Sequence, residues 1–249
     1  MFKRTPEAIA EETLDSILSG ALRLYQPRRG YRFSVEAVLL ARFAAARPAA
    51  RVLELGAGCG VVALMFAALA GPREVVALEV QPALAALIAR NAALNGLGMV
   101  HAVCADLRSR RPLDAAGGGF DLVLANPPFR AYLSGRESPL AGRRLARGEA
   151  AARLEDFAAA ATHHARHGGR AAFVFAAARS AELISTLRAR RLEPKRIRFV
   201  HPYADASAST VLVEARKGGG VEVEIEPPLV MYDAPGVYSA EARALLERL

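Results

Sequence analysis

Cysteine is scarce in this sequence, and long apolar runs are missing. Only Cys59 and Cys104 are present among 249 residues, which gives neither a disulfide framework nor the ligands of a zinc cluster. The longest apolar stretches, such as residues 61–70, fall well short of the roughly 20 residues that a membrane-spanning helix needs. The N-terminus lacks the apolar core of a signal peptide. These absences predict a soluble protein of the reducing cytoplasm, with no metal site and no membrane partner.

Two catalytic signatures are missing as well. The sequence contains no Gly-x-Ser-x-Gly elbow for a nucleophilic serine and no Walker loop for nucleotide phosphates. The sequence therefore does not favour a serine hydrolase of that type or a phosphotransferase with a Walker loop.

Positive charge is in excess and is carried mainly by arginine. Lysine and arginine number 33 against 25 acidic residues, which gives a formal charge of +8. Arginine binds phosphate through two parallel hydrogen bonds, and a positive field speeds encounter with RNA or DNA. A GC-rich genome would also produce an arginine- and alanine-rich composition, so the charge alone does not decide between these explanations.

The apolar pattern predicts one α/β domain spanning residues 1–249. From residue 51 onward, β-branched runs alternate with alanine-rich stretches, the pattern of a parallel sheet covered by helices on both faces. We expect a helical lead-in over residues 1–50 and a core over 51–249. Predicted parallel strands are residues 51–55, 75–78, 100–104, 122–125 and 171–175. Predicted helices are residues 61–70, 82–95 and 181–190. Antiparallel edge strands are expected at residues 196–200, 210–215 and 221–225.

A glycine-rich turn follows the first of these strands. It has glycine at positions 56, 58 and 60, with Ala57 inside the turn and Glu54 before it. Glycines permit a tight turn and the close approach of a nucleoside. A dinucleotide fold spaces its glycines as G-x-G-x-x-G and binds pyrophosphate at the helix N-terminus. Even spacing after an acid disfavours a pyrophosphate and suits a cation. The predicted cofactor contacts in this turn are Glu54, Gly56, Ala57, Gly58 and Gly60.

Acidic residues end the next two predicted strands. Glu79, followed by Val80, can accept hydrogen bonds from two ribose hydroxyls. Asp106 can accept from an adenine amino group, and Leu107 can cover a ring face. Together with the glycine turn, these four residues predict a cofactor with an adenosine half and a cationic centre.

The most specific motif is Asn126-Pro127-Pro128-Phe129, directly after the fourth predicted strand. The two prolines make the loop rigid. The Asn126 amide oxygen and the Pro127 carbonyl can each accept one N–H of an exocyclic amine, which aims its lone pair at a methyl carbon. Phe129 offers a stacking face for a flipped base. We expect Asn126 to line the cofactor pocket as well.

In this order, the motifs resemble those of class I S-adenosylmethionine-dependent methyltransferases that modify amino or amide nitrogens. The two ends of the chain resemble the bacterial tRNA1(Val) adenine-37 N6-methyltransferase family. The segments carrying that likeness are residues 26–41, 198–202, 211–217, 227–230 and 237–239. The resemblance implies a Rossmann-like fold with a seven-stranded, mostly parallel sheet, and a lead-in that caps the cofactor pocket. It implies S-adenosylmethionine as cofactor, S-adenosylhomocysteine as product and an adenine of tRNA as acceptor. Phe129 replaces a tyrosine common in adenine methyltransferases, keeping the ring and losing the hydroxyl.

Basic clusters near these motifs are candidate RNA contacts or ordinary solvated charge. They lie in the lead-in, in the loop after the acceptor motif and before a predicted edge strand at Lys195, Arg196 and Arg198. Loops beyond the carboxyl ends of strands border the ligand crevice, which favours the middle cluster. The predicted substrate contacts are Arg32, Ser34, Phe129, Arg143, Arg144 and Arg147.

Other acceptors use the same chemistry and stay open. They are guanine N2 of ribosomal RNA, adenine of DNA and the glutamine amide of a release factor. A non-catalytic adaptor that binds S-adenosylmethionine or RNA is a further alternative. The sequence does not predict the oligomeric state.

Overall fold

The N-terminal part of the protein is a β-hairpin followed by a helix. The computed structural model describes residues 11–29, 32–109, 119–128 and 152–247. Strands β1 (Glu12–Ile17) and β2 (Leu22–Pro27) pair antiparallel, and helix α1 (Val35–Ala45) follows. The predicted helical lead-in is therefore wrong for the hairpin and right for α1. In β2, buried Leu22 and Leu24 alternate with Arg23 and Tyr25, and this period of two is typical of a strand.

The central sheet contains seven strands and two short additions. Its elements are β3 (Arg51–Leu55), β4 (Glu74–Glu79), β5 (Val100–Cys104), β6 (Phe120–Ala125), β7 (Ala165–Ala176), β8 (Leu192–His201), β9 (Thr210–Lys217), β10 (Glu224–Ile225) and β11 (Leu229–Val230). The order across the sheet is β10-β8-β9-β7-β6-β3-β4-β5, and β11 pairs with β8. Strands β3 to β7 are parallel to one another. The chain runs outward from β3 to β5 and then returns to the other side of β3, so β3 and β6 border the topological switch point.

The antiparallel pairing expected near the C-terminus is confirmed and is carried by β9. This strand lies between β7 and β8 and pairs antiparallel with both. The third predicted edge strand, residues 221–225, is shorter than expected: only Glu224 and Ile225 pair, and they run parallel to β8. Exposed side chains on both residues explain the short pairing, because they bury little apolar surface.

Helices cover both faces of the sheet. The remaining elements are α2 (Val61–Ala70), α3 (Pro82–Leu94), α4 (Leu154–His164), a 3-10 turn (Ala177–Arg179), α5 (Ser180–Ala189), a hairpin of β12 (Tyr232–Ala234) and β13 (Val237–Tyr238), and α6 (Ala240–Glu247). The hairpin β1–β2 and helices α1, α2, α3 and α6 pack on one face, and α4 and α5 pack on the other. The predicted helices at residues 61–70, 82–95 and 181–190 are confirmed to within a residue.

Alternate residues of each central strand enter opposite cores. In β3, Val52 packs with the first set of helices and Leu53 with the second, and both are fully buried. Burying such a side chain contributes about 1.5–3 kcal/mol, so β3 is held from both sides. Within the described ranges, no helix is long and apolar enough to cross a membrane.

Candidate active site at the carboxyl edge of the sheet

The loops that carry the predicted motifs begin side by side. Leu55, the last residue of β3, lies opposite Leu78 in β4 and Ala125 in β6. Glu79 in turn lies opposite Cys104, the last residue of β5. Four parallel strands therefore end at one level, and the loops that follow share the carboxyl edge, where open α/β sheets bind their ligands.

The loop between β3 and α2, residues 56–60, is called the glycine loop. Two of its glycines are required by conformation and by packing. Gly56 has φ +67°, and a Cβ atom there would lie 3.3 Å from the Phe157 ring of α4. Gly60 has φ +85°, and its Cβ would lie 3.0 Å from Ile88 of α3. At these two positions the missing side chain makes room for the protein's own residues, in addition to the room expected for a ligand. The Ala57 amide donates to the Leu78 carbonyl across 2.9 Å and anchors the loop to β4.

Glu79 fastens the glycine loop to the end of β4. Its Oε2 accepts a 2.9 Å hydrogen bond from the Gly58 amide, and its Oε1 accepts from the Gln81 amide at 3.0 Å and the Gln81 side chain at 3.2 Å. The residue is buried. A carboxylate has about four acceptor positions, so capacity for a further donor remains. Val80, which follows, is 56% exposed at the same edge.

Glu54 has a different environment from the one expected. It is buried, and its Oε2 accepts a 2.9 Å hydrogen bond from the Ala63 amide in the first turn of α2. Burial raises the pKa of this carboxyl to about 8, so it carries a proton at neutral pH. A pKa in this range predicts that Glu54 is mostly uncharged near pH 7, whereas the sequence predicts a negative charge facing a cation. Its observed contact satisfies one of the unpaired amides at the start of α2.

Asp106 is held by an arginine that the sequence analysis overlooked. The Arg108 Nε lies 2.9 Å and 3.1 Å from the two carboxylate oxygens, and Arg108 Nη2 also contacts Oδ2. The backbone amide of Arg108 donates to Oδ1 at 2.9 Å. The Arg108 guanidinium holds the pKa of Asp106 below its usual value. The acceptor predicted to bind an adenine amino group therefore has an internal partner. Leu107 between them is buried in the α4–α5 core.

The acceptor motif follows β6 at the switch point. Asn126 is half-buried, Pro127 is buried and Pro128 is exposed. Because Ala125 pairs with Leu55, Asn126 begins its loop beside Gly56. The Asn-Pro-Pro motif thus begins next to the start of the glycine loop, at the switch point of the sheet. Phe129, Arg143, Arg144 and Arg147 lie outside the described residues.

Asn91 is a buried contact that the sequence analysis missed. It lies on the inner face of α3 and is fully buried. Its Nδ2 donates to the Cys59 carbonyl at 3.1 Å and the Tyr25 carbonyl at 3.0 Å, and its Oδ1 accepts from the Tyr25 amide at 2.7 Å. One side chain therefore joins the N-terminal hairpin to the glycine loop. An asparagine among Leu84, Leu87 and Ile88 on an apolar helix face was the available signal.

Two predicted substrate contacts lie in this lead-in. Arg32 donates through Nη2 to Asp15 at 2.9 Å and through Nη1 to Thr13 at 2.8 Å and the Pro27 carbonyl at 3.3 Å. These bonds brace the hairpin and leave the side chain 41% exposed. Ser34 is exposed at the N-cap of α1.

The basic cluster before the last edge strands has structural partners. Arg196 is buried and stacks over the Phe43 ring at 3.9 Å. Arg198 forms an ion pair with Glu241 at 2.5 Å. These two residues hold β8 to its neighbours, so they are not available as an RNA track.

The described residues contain neither a metal-binding cluster nor a disulfide bond. In the part of the chain that the structure describes, no group of three or more His, Cys, Asp or Glu residues is arranged to hold a metal ion. Both cysteines are free thiols, and burial raises the pKa of Cys59 to about 12.

Comparison with known proteins agrees with this architecture. A family model described as the methyltransferase small domain matches residues 35–182. The chain is 27% identical over 225 residues to the tRNA1(Val) (adenine(37)-N6)-methyltransferase of Porphyromonas gingivalis, covering 87% of each chain. A predicted O-methyltransferase of Agrobacterium tumefaciens has a TM-score of 0.65 at 24% identity, covering 84% of this chain and 94% of that one. The 16S rRNA N2 G1207 methyltransferase of Thermus thermophilus, solved with AdoMet and guanosine, has a TM-score of 0.56 at 20% identity, covering 83% and 50%. The two structural likenesses identify a Rossmann-like methyltransferase fold.

Proposed function

The chain is a methyltransferase belonging to the methyltransferase small domain family, and we propose that it methylates the exocyclic N6 of an adenine in tRNA. S-adenosylmethionine is the proposed methyl donor and S-adenosylhomocysteine the product. The observation that carries this proposal is the pairing of Leu55 with both Leu78 and Ala125. It brings the glycine loop, the Glu79 carboxylate and the Asn-Pro-Pro motif to one edge of the sheet.

The carboxyl edge fits the proposed cofactor. Glu79 retains acceptor capacity for ribose hydroxyls while it holds the glycine loop. Exposed Val80 supplies apolar surface next to it, and Asp106 supplies a second carboxylate after β5. We assign the cofactor contacts to Gly56, Ala57, Gly58, Gly60, Glu79, Val80, Asp106, Leu107 and Asn126. We give Glu54 a supporting role beneath the loop. The hairpin, tied to Cys59 by Asn91, covers the pocket on its open side in this proposal.

The acceptor nitrogen is positioned by the motif after β6. When bound, S-adenosylmethionine supplies an electrophilic methyl group that leaves a neutral thioether behind. The Asn126 amide oxygen and the Pro127 carbonyl each accept one N–H of the adenine amine, which turns its lone pair toward that methyl group. The nitrogen–carbon bond forms as the carbon–sulfur bond breaks, and the extra proton then leaves to water. This step requires positioning and no covalent intermediate.

Two observations support RNA as the acceptor. The relative in Porphyromonas gingivalis that carries a tRNA adenine-methyltransferase name aligns along 87% of both chains. The chain also has a formal charge of +8, which favours a polyanionic substrate. Phe129 is our candidate for the stacking face, and Arg143, Arg144 and Arg147 are candidates for phosphate contact.

The proposal is tested by asking which macromolecule accepts the methyl group. Purified protein would be incubated with methyl-labelled S-adenosylmethionine and, separately, total tRNA, ribosomal RNA, DNA and a release factor. We expect label in tRNA alone. Label in ribosomal RNA, DNA or the release factor instead, or no transfer to any of them, would contradict the proposed substrate. Asn126→Ala serves as the matched inactive protein.

A further inference from the structure

A basic cleft lies at the amino edge of the sheet, away from the motifs described above. A cleft of about 1010 Å³ opens between the α1–β3 and α2–β4 loops, the start of β7 and the end of β9. It is lined by Arg47, Arg73, Arg166, Arg170, Lys195 and Arg216, six cations against four carboxylates. β3 is five residues long and rises about 3.3 Å per residue, so roughly 17 Å separates this cleft from the glycine loop.

The floor of the cleft is an ion cluster around a buried carboxylate. Glu214 is 1% exposed and accepts hydrogen bonds from Arg170 at 2.7 Å and Arg47 at 3.2 Å. Arg170 also donates to the Arg47 and Pro48 carbonyls at 3.1 Å and 2.8 Å. Arg47 also pairs with Glu224 at 3.4 Å, so the two guanidinium groups of the floor are matched by two carboxylates. The surplus positive charge of the cleft therefore lies on its rim.

The rim carries exposed arginines from three separate segments. Arg73, Arg166 and Arg216 are all exposed. Arg166 donates through Nε to Asp121 at 2.6 Å and through Nη1 to the His167 carbonyl at 3.4 Å. Arg216 donates through Nε to the Gly168 carbonyl at 3.1 Å. Among the described residues, the two terminal nitrogens of Arg216 and the whole Arg73 guanidinium have no hydrogen-bond partner. Donor groups therefore remain for a ligand.

This chemistry suits phosphate groups. A guanidinium binds a phosphate through two parallel hydrogen bonds, and the Nε anchor of Arg216 leaves its two terminal nitrogens for that purpose. Rim arginines spread over three segments match a ligand with several phosphates along its length better than a single small anion. Lys195 is committed elsewhere, since it donates to the carbonyls of Gly220, Val221 and Glu222.

We propose that the amino-edge cleft is a second docking site for the RNA substrate and binds backbone phosphates remote from the methylated base. The proposal rests on the proposed function, because it takes the RNA to be the acceptor. Phosphate contacts fix the orientation of a nucleic acid, whereas contacts to base edges determine which sequence is recognised. In this proposal the cleft orients the RNA, and the carboxyl edge recognises the base that is methylated.

The test compares two pairs of charge reversals. Arg73→Glu with Arg216→Glu alters the rim, and Arg190→Glu with Arg243→Glu makes the same charge change at exposed arginines outside the cleft. Binding of a tRNA transcript would be measured by fluorescence anisotropy at several salt concentrations. We expect the rim pair to bind at least about tenfold more weakly and to lower the slope of log K against log salt by about 1–2. The control pair should stay within about threefold of wild type.

Further measurements distinguish failure of the cleft as an RNA site from failure of the proposed function. Affinity for S-adenosylmethionine and the melting temperature should be unchanged in the rim pair, and Arg73→Gln with Arg216→Gln should give an intermediate loss of tRNA binding. If both reversal pairs bind tRNA alike while the wild type methylates it, the cleft is not an RNA site and the proposed function stands. If only a mononucleotide loses affinity in the rim pair, the ligand is a small phosphate compound and the proposal is overturned. If the wild type binds no RNA, both the proposed function and this inference fail.

Discussion

Asn91 donates a 3.1 Å hydrogen bond to the backbone carbonyl of Cys59, near the end of the glycine loop. The same side chain exchanges two hydrogen bonds with the backbone of Tyr25 in the N-terminal hairpin. Asn91 is fully buried, so water cannot form these hydrogen bonds with the Cys59 and Tyr25 backbone in its place. The N-terminal hairpin and the glycine loop are therefore coupled through one residue of α3.

Replacing Asn91 should loosen both segments. Asn91→Leu keeps similar volume and leaves buried backbone groups unpaired, at about 1–3 kcal/mol each. We expect a loss of about 2–4 kcal/mol in unfolding free energy and roughly tenfold weaker binding of S-adenosylmethionine, measured by urea denaturation and calorimetry. Asn95→Ala is the matched control, since Asn95 bonds the Arg23 backbone in the hairpin and does not contact the loop. Equal losses of cofactor affinity in the two variants would refute the coupling.

The buried acid beneath the loop predicts a pH-dependent stability. The folded pKa of Glu54 is about 8 against an ordinary value of 4.5. Between these values the folded state holds a proton that the unfolded chain has lost, so stability falls as pH rises from about 5 to 8. Glu54→Gln keeps an acceptor for the Ala63 amide and does not titrate. From pH 5 to pH 8, its unfolding free energy should gain on the order of 3 kcal/mol relative to wild type. Parallel pH profiles would show that Glu54 is charged in the folded protein.

Arg108 should compete with the cofactor for Asp106. The pair is partly exposed, with side chains 44% and 34% accessible, and such pairs contribute about 0–1 kcal/mol. Arg108→Ala should therefore tighten S-adenosylmethionine binding by up to about fivefold, while Asp106→Ala should weaken it. Arg190→Ala, at an exposed arginine away from the site, controls for the lost charge. Weaker binding by Arg108→Ala would mean that Arg108 itself contacts the cofactor.

Asn126 should affect turnover far more than cofactor affinity. Removing one preorganised polar group at a reacting centre costs about 100–1000-fold in kcat. We expect a loss of that size in Asn126→Ala, with the dissociation constant for S-adenosylmethionine within a few-fold of wild type. Arg190→Ala, at an exposed residue away from the motif, should retain wild-type activity. A variant that loses cofactor binding and activity together would assign Asn126 to the cofactor pocket alone.

Most of the central sheet was predictable because its signals are local. β-branched runs such as Val75 to Leu78 in β4, with Gly56 and Gly60 in the turn after β3, need no knowledge of distant contacts. The hairpin was missed because its alternation is short: only Leu22 and Leu24 mark β2 as a strand. The position of β9 between β7 and β8 is a question of strand order, which residue patterns do not encode.

At the site, the positions of the motifs were more predictable than the protonation of Glu54 or the ion pair of Asp106. The residues after β3, β4 and β6 meet at one edge, as strand-end motifs of a parallel sheet should. The raised pKa of Glu54 arises from its burial beneath α2, and the pairing of Asp106 with Arg108 arises from a turn of two residues. Asn91 acts across the fold from Tyr25 and Cys59, so its role depends on tertiary contacts. These features depend on what packs around a side chain, which a motif does not specify.

Nucleoside analysis of treated tRNA shows whether the protein methylates an adenine amine. Purified tRNA treated with wild-type protein and S-adenosylmethionine would be digested and separated by liquid chromatography with mass detection, beside tRNA treated with Asn126→Ala. We predict N6-methyladenosine in the wild-type sample and none in the variant sample. A methyl group found on guanine, or tRNA left unmodified by the wild-type protein, would contradict adenine N6 of tRNA as the acceptor.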